Sequence, residues 1–191
     1  ARGWVLAAVC AAAALALGLY LNLGAPGLGD QPYAKRLAAW KDSDLNTLAP
    51  PELAAVLRDA TAQRPTEAQG FRFLGMVEAA AGNPVGAVSA LRKAVRLEPG
   101  HVDTWRQLGE AQVIAAGGKV EPDAQATFRQ VLALAPGDPG ARFYLARARA
   151  EAGEAEAAAA ELSALVADMP AGDERRAFVE AELARIRGRP A

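Results

Sequence analysis

"AQGFRFLGMVEAAAGNPVGAVSALRKAVRLEP", residues 68–99, reads as two amphipathic segments joined by a glycine turn. Phe71, Leu74 and Gly75 lie on one face of the first segment, and Ala87, Leu91 and Ala94 on one face of the second. Apolar positions three and four apart line up on a helix. Pro99 ends the second segment, because proline lacks an amide hydrogen and disfavours helix in the residue before it. In "AAGN", residues 80–83, a glycine stands where a helix-to-helix turn needs a left-handed backbone.

The unit recurs. Pro65, Pro99, Pro136 and Pro170 are spaced by 34, 37 and 34 residues. A period of about 34 residues is the signature of the tetratricopeptide repeat, a helix–turn–helix unit. Trp105, Leu108, Gly109, Ala124, Phe128 and Val131 hold the same offsets before Pro136. The three extra residues fall in "AAGGKVEPDA", residues 115–124, a turn where an insertion leaves both packing faces intact. Leu145, Ala146, Ala158, Leu162 and Leu165 keep the register before Pro170, and "AEAG", residues 150–153, repeats the glycine turn. Arg142 fills the aromatic slot of that unit, a departure, with Phe143 beside it. Gly75, Gly109 and Ala146 are small so that helix backbones approach closely.

Upstream, Leu53, Leu57 and Ala60 match a lone second helix. Downstream, Phe178, Leu183 and Ile186 form the apolar side of one more helix with charge on its other faces, as a capping element needs. No stretch alternates like a strand.

Trp4 to Leu23 is uncharged over twenty residues, with Trp4 and Tyr20 near its ends. At about 1.5 Å per residue this length crosses a bilayer core of roughly 30 Å. A cleaved signal peptide and a lipoprotein signal around Cys10 are the competing readings, but no good cleavage pattern follows Tyr20, and Cys10 sits too early in the run. The first residue is Ala rather than Met, so we expect sequence upstream. The expected architecture is all-α: a single transmembrane helix at 3–23, then a linker at 24–47 with a short amphipathic element around Tyr33, Leu37 and Trp40. A right-handed superhelix of tetratricopeptide repeats follows at 48–191. Its parts are a half repeat at 50–65, repeats at 68–101, 102–138 and 139–172, and a capping helix at 173–188.

Composition narrows function. The net charge is −1, so no large field draws nucleic acid. Cys10 is the one cysteine and His101 the one histidine, which argues against a zinc site or a Ser–His–Asp set. His101 is expected in an inter-repeat loop. "AAGGKVEP" lacks phosphate-loop spacing. We therefore expect no enzyme, no catalytic or metal residue and no cofactor. What remains is binding on the groove that first helices line in stacked repeats. The groove candidates are Arg72, Phe73 and Met76, then Arg106, Gln107 and Glu110, then Phe143, Tyr144 and Arg147. Three arginines among apolar side chains suit an amphipathic helical peptide ending in a carboxylate, since arginine forks bind carboxylates bidentately.

Tyr20, Gly24, Pro26, Asp30, Pro32 and Arg36 at the joint form a Tyr, G-x-P and D-x-P-x-x-x-R pattern. With "GGKVEPDAQATFRQVLALAPGDPGARFYLARARAEAG", residues 117–153, and its lengthened turn, the chain resembles the C-terminal part of the CcmI (CycH) family of c-type cytochrome biogenesis proteins. The resemblance implies a chaperone in the bacterial inner membrane with its repeat domain in the periplasm. It implies binding of apocytochrome c through that protein's C-terminal helix, without haem of its own, and delivery to a haem-ligation complex containing CcmF and CcmH. The other reading is a repeat scaffold that assembles an inner-membrane complex.

Overall fold

Glycine and proline punctuate a run of short helices. The computed structural model describes residues 32–188. Among them nine α-helices follow one another: α1 (Tyr33–Asp42), α2 (Pro50–Gln63), α3 (Ala68–Ala80), α4 (Pro84–Leu97), α5 (Val102–Ala115), α6 (Pro122–Leu134), α7 (Pro139–Glu151), α8 (Ala155–Asp168) and α9 (Arg176–Arg187). A single 3-10 turn, Leu45–Thr47, precedes α2. The chain divides into two compact units, 1–39 and 40–191, and the repeats lie in the second. No helix among the described residues is long and apolar enough to cross a membrane. The expected span at 3–23 lies outside the described residues.

The stops and starts follow from local chemistry. Arg64, Glu98, Ala135 and Met169 are the C-caps of α2, α4, α6 and α8, and each directly precedes one of the periodic prolines. All four have left helical geometry, as the residue before a proline prefers. Pro50, Pro84, Pro122 and Pro139 open helices, where a missing amide hydrogen costs nothing. Gly82 and Gly153 take φ of 73° and 90° at the intra-repeat turns, a backbone that side chains resist. His101 is more than a loop residue: its Nδ1 accepts from the Thr104 amide at 3.3 Å and caps α5. A histidine cap carries no common sequence signal.

Packing runs from neighbour to neighbour. Four apolar clusters succeed one another along the chain, from Ala54, Leu74 and Ala90 to Leu162, Leu183 and Ile186. Each first helix packs on its own partner and on the second helix of the preceding unit, as in a one-dimensional solenoid. Close approach is enforced at the small residues. A methyl group placed on Gly75 would sit 2.5 Å from Leu91 Cγ, and one on Gly109 would sit 2.6 Å from the Phe128 ring. Phe128 is fully buried and also stacks on Tyr144 at 4.6 Å.

Two expectations are corrected. In α2 the buried face is Ala54, Val56 and Thr61 with Leu57 half-buried, while Ala60 is exposed. Among the described residues, α2 packs chiefly on α3, and its face turns that way. In α9 the buried stripe is Val179, Leu183 and Ile186, and Phe178 is 64% exposed. Phe178 lies one position, about 100° of arc, off that stripe. The lengthened turn falls between α5 and α6, as expected. Val120 inserts into the core beside Phe128 and Val131, and its amide donates to Glu151 Oε2 at 3.0 Å.

Replacing Gly109 by Ala is expected to lower stability by about 2 kcal/mol, because the Phe128 ring has nowhere to go. Gly100→Ala, with open space around it, is expected to change stability by less than about 0.5 kcal/mol. Urea unfolding of the two variants checks the pair.

Candidate functional site: the inner helix face

The first helices of the repeats, α3, α5 and α7, carry the nine expected groove residues, and the structure treats them unequally. Phe73 and Met76 on α3 are each 50% exposed. They lie three residues apart and so share a face. Arg72 is turned away to Glu98, the C-cap of α4.

On α5, Arg106 reaches across to α7. Its Nη2 and Nε donate to Asp138 Oδ2 at 2.7 and 3.0 Å, and its Nη1 donates to Asp103 at 2.5 Å. Asp138 is buried and caps α7 by accepting from the Ala141 amide at 2.8 Å. This arginine therefore joins two repeats. Asp138 before Pro139 has the form of an N-cap followed by proline at the first helical position, the one cue that would have revealed it. Glu110, one turn on from Arg106, is half-buried. Burial pushes its carboxyl above the usual range, Arg106 draws it down, and Asp138 adds to the rise. Gln107 Oε1 is buried with no hydrogen-bond donor.

On α7 the sequence expectation of an open groove fails for Phe143. Its side chain is 5% exposed and belongs to the core beneath α8 and α9. Tyr144 is half-buried between Phe128 and Phe143, and burial, then the nearby Glu110 charge, pushes its hydroxyl up. Arg147 donates to Gly118 O at 2.7 Å, bracing the lengthened turn, and lies 3.7 Å from Glu182 of α9. A small apolar cleft of about 140 Å³ opens beside them, lined by Pro139, Gly140, Phe143, Tyr144, Met169 and Phe178. The Phe178 ring sits 5.1 Å from that of Phe143. Residues on α5 and α7 thus converge, while Phe73 and Met76 form a separate apolar end on α3.

Sequence reasoning missed a second ionic tie. Glu78 is 2% exposed, and Arg58 donates to both its oxygens at 2.6 and 2.8 Å. Asn83 Nδ2, in the turn before α4, donates to the same carboxylate at 2.8 Å. A buried carboxylate is tolerable only with partners of this kind. Arg142, in the expected aromatic slot, pairs with Glu161 at 2.9 Å and Asp168 at 2.7 Å, which accounts for the departure. Among the described residues no cluster of His, Cys, Asp or Glu is placed to hold a metal ion.

This arrangement of helix pairs can be set beside known proteins. The model of the cytochrome c-type biogenesis protein H TPR domain matches residues 30–176. The chain belongs to this family. It is 32% identical over 174 residues to the cytochrome c-type biogenesis protein CycH of Bradyrhizobium diazoefficiens, covering 91% of this chain and 47% of that one. It is 33% identical over 178 residues to CycH of Rhizobium meliloti, covering 93% and 45%. The chain thus spans about half the length of these CycH proteins. Among solved structures, the MamA protein superposes with a TM-score of 0.62 at 17% identity, over 81% of this chain and 84% of that one. A thermophilic TPR protein of Thermus thermophilus gives 0.53 at 19% identity, over 92% and 94%. These likenesses show the all-α tetratricopeptide-type fold.

Within that fold Arg106 is a strut. Arg106→Ala leaves Asp138 buried with its charge poorly met, and a loss of about 2–3 kcal/mol is expected. Thermal unfolding of Arg106→Ala beside Arg129→Ala, an exposed control on α6, measures the difference.

Proposed function

We propose that this protein is a membrane-tethered chaperone of c-type cytochrome maturation. It holds the C-terminal helix of apocytochrome c against the inner faces of α3, α5 and α7. It presents that segment to the haem-ligation complex containing CcmF and CcmH. Residues 3–23 anchor it in the bacterial inner membrane, with the repeats in the periplasm. The observation that carries this reading is the exposed pair Phe73 and Met76 on the first helix of a repeat in a chain of the CycH family. Large apolar side chains on a surface otherwise rich in ion pairs mark a place that a partner covers. The CycH relatives support the pathway through their name.

A second reading, a scaffold that assembles a membrane complex, is favoured by a different feature. A cleft of about 410 Å³ lies between α2, α3 and α4, floored by Phe71 and Leu74 with Lys93 and Arg96 at its rim.

The test uses the purified chain and a labelled peptide from the C-terminal helix of a c-type cytochrome. Binding is expected, and Phe73→Ser with Met76→Ser is expected to weaken it about tenfold or more, as the loss of two central apolar anchors does. Stability should hold, since both side chains are exposed. Membrane partners recovered equally by the double variant, with no peptide bound by either protein, would favour the scaffold.

A further inference from the structure

The sequence pattern suggested a basic groove that grips a carboxylate. The side-chain pairing points the other way. Every arginine among the expected groove residues is already engaged: Arg72 with Glu98, Arg106 with Asp138 and Asp103, and Arg147 with Gly118 O, Glu151 and Glu182. Using one for a ligand would mean breaking a contact that holds two helices or a turn together.

The group left over is an acid. Glu110 makes no ion pair and accepts no hydrogen bond among the described residues. Arg106, its neighbour one turn earlier, is directed at Asp138 and Asp103 instead. Gln107 is three residues before Glu110 on the same helix, and its buried Oε1 also has no donor. Two acceptors without donors thus lie three residues apart on α5, Gln107 Oε1 beneath the surface and Glu110 reaching it. A half-buried carboxylate with no donor is poorly matched, and an incoming N–H or ammonium supplies the missing partner. An incoming carboxylate meets the like charge of Glu110 instead.

Apolar surface flanks this point on both sides. Phe73 and Met76 lie on α3, and the cleft beside Tyr144 and Phe178 lies at α7. Neighbouring helices pack about 10 Å apart, so from α3 to α7 is about 20 Å. An α-helix covers that distance in about 13 residues.

We propose that the inner face recognises a cationic amphipathic helix, with a Lys or Arg of the ligand set against Glu110 and its apolar residues on the two ends. This rests on the groove reading above and names the ligand chemistry that the groove selects. Discrimination follows from charge at one position, whereas affinity comes mainly from the apolar ends.

The probes are three synthetic helical peptides of ~16 residues, long enough to cross the face, alike except for a central Lys, Gln or Glu. Fluorescence anisotropy with the purified full chain reads their affinities. The Lys peptide is expected to bind about tenfold more tightly than the Glu peptide, as a partly buried charged hydrogen bond implies. Glu110→Gln should shrink that ratio to within about twofold while leaving the Gln peptide bound. Phe73→Ser with Met76→Ser should weaken all three alike. A Glu peptide that binds as tightly as the Lys peptide, or a preference for Lys that survives Glu110→Gln, overturns the cation site and leaves the groove standing. Failure of all three peptides to bind overturns the groove itself, and the cation site with it.

Discussion

The architecture depends on two places where a glycine of one helix receives a large side chain of its partner. Gly75 admits Leu91 and Gly109 admits Phe128, each at a distance that leaves no room for a methyl group. The approach sets the spacing of each helix pair, and the pair sets the surface on which the next unit stacks. Phe128 passes the contact onward, since its other face stacks on Tyr144 of the following repeat. The groove residue Tyr144 therefore takes its position, through Phe128 of α6, from a glycine on α5. Core packing and the candidate binding face are one system here.

Much of this was legible in the sequence because punctuation is local. A proline stops a helix wherever it falls, and a glycine at an intra-repeat turn takes the left-handed backbone that its neighbours refuse. The period of the prolines, the small–large offsets and the register of α3 to α8 follow from such rules. The faces of α2 and α9 were harder. Each packs chiefly on one helix among the described residues, and Ala60 and Phe178 are exposed against the periodic expectation. Periodicity marks an apolar stripe; the neighbour decides which edge of it is covered.

Pairing was the part that spacing could not reveal. Counting motif positions places Arg72, Arg106 and Arg147 toward the groove, yet it says nothing of Glu98, Asp138 or Gly118 across from them. The partners come from other helices and turns at separations of 26 to 32 residues. The same blindness hid Glu78 with Arg58 and Asn83. Once those pairs are seen, the inner face changes character: its cations serve as struts, and its remaining acceptors are Glu110 and Gln107. Apolar ends around an acidic middle form a narrower description of the ligand than aromatic and arginine content suggested.

The central claim is that the inner face of α3, α5 and α7 receives the partner helix. Hydrogen–deuterium exchange of the full chain, with and without a peptide from the C-terminal helix of a c-type cytochrome, tests it most directly. Slowed exchange is predicted in α3, α5 and α7, strongest around residues 73–76 and 107–110. Protection confined to α2 and α4, around the cleft at Lys93 and Arg96, with α5 and α7 unchanged, would contradict it.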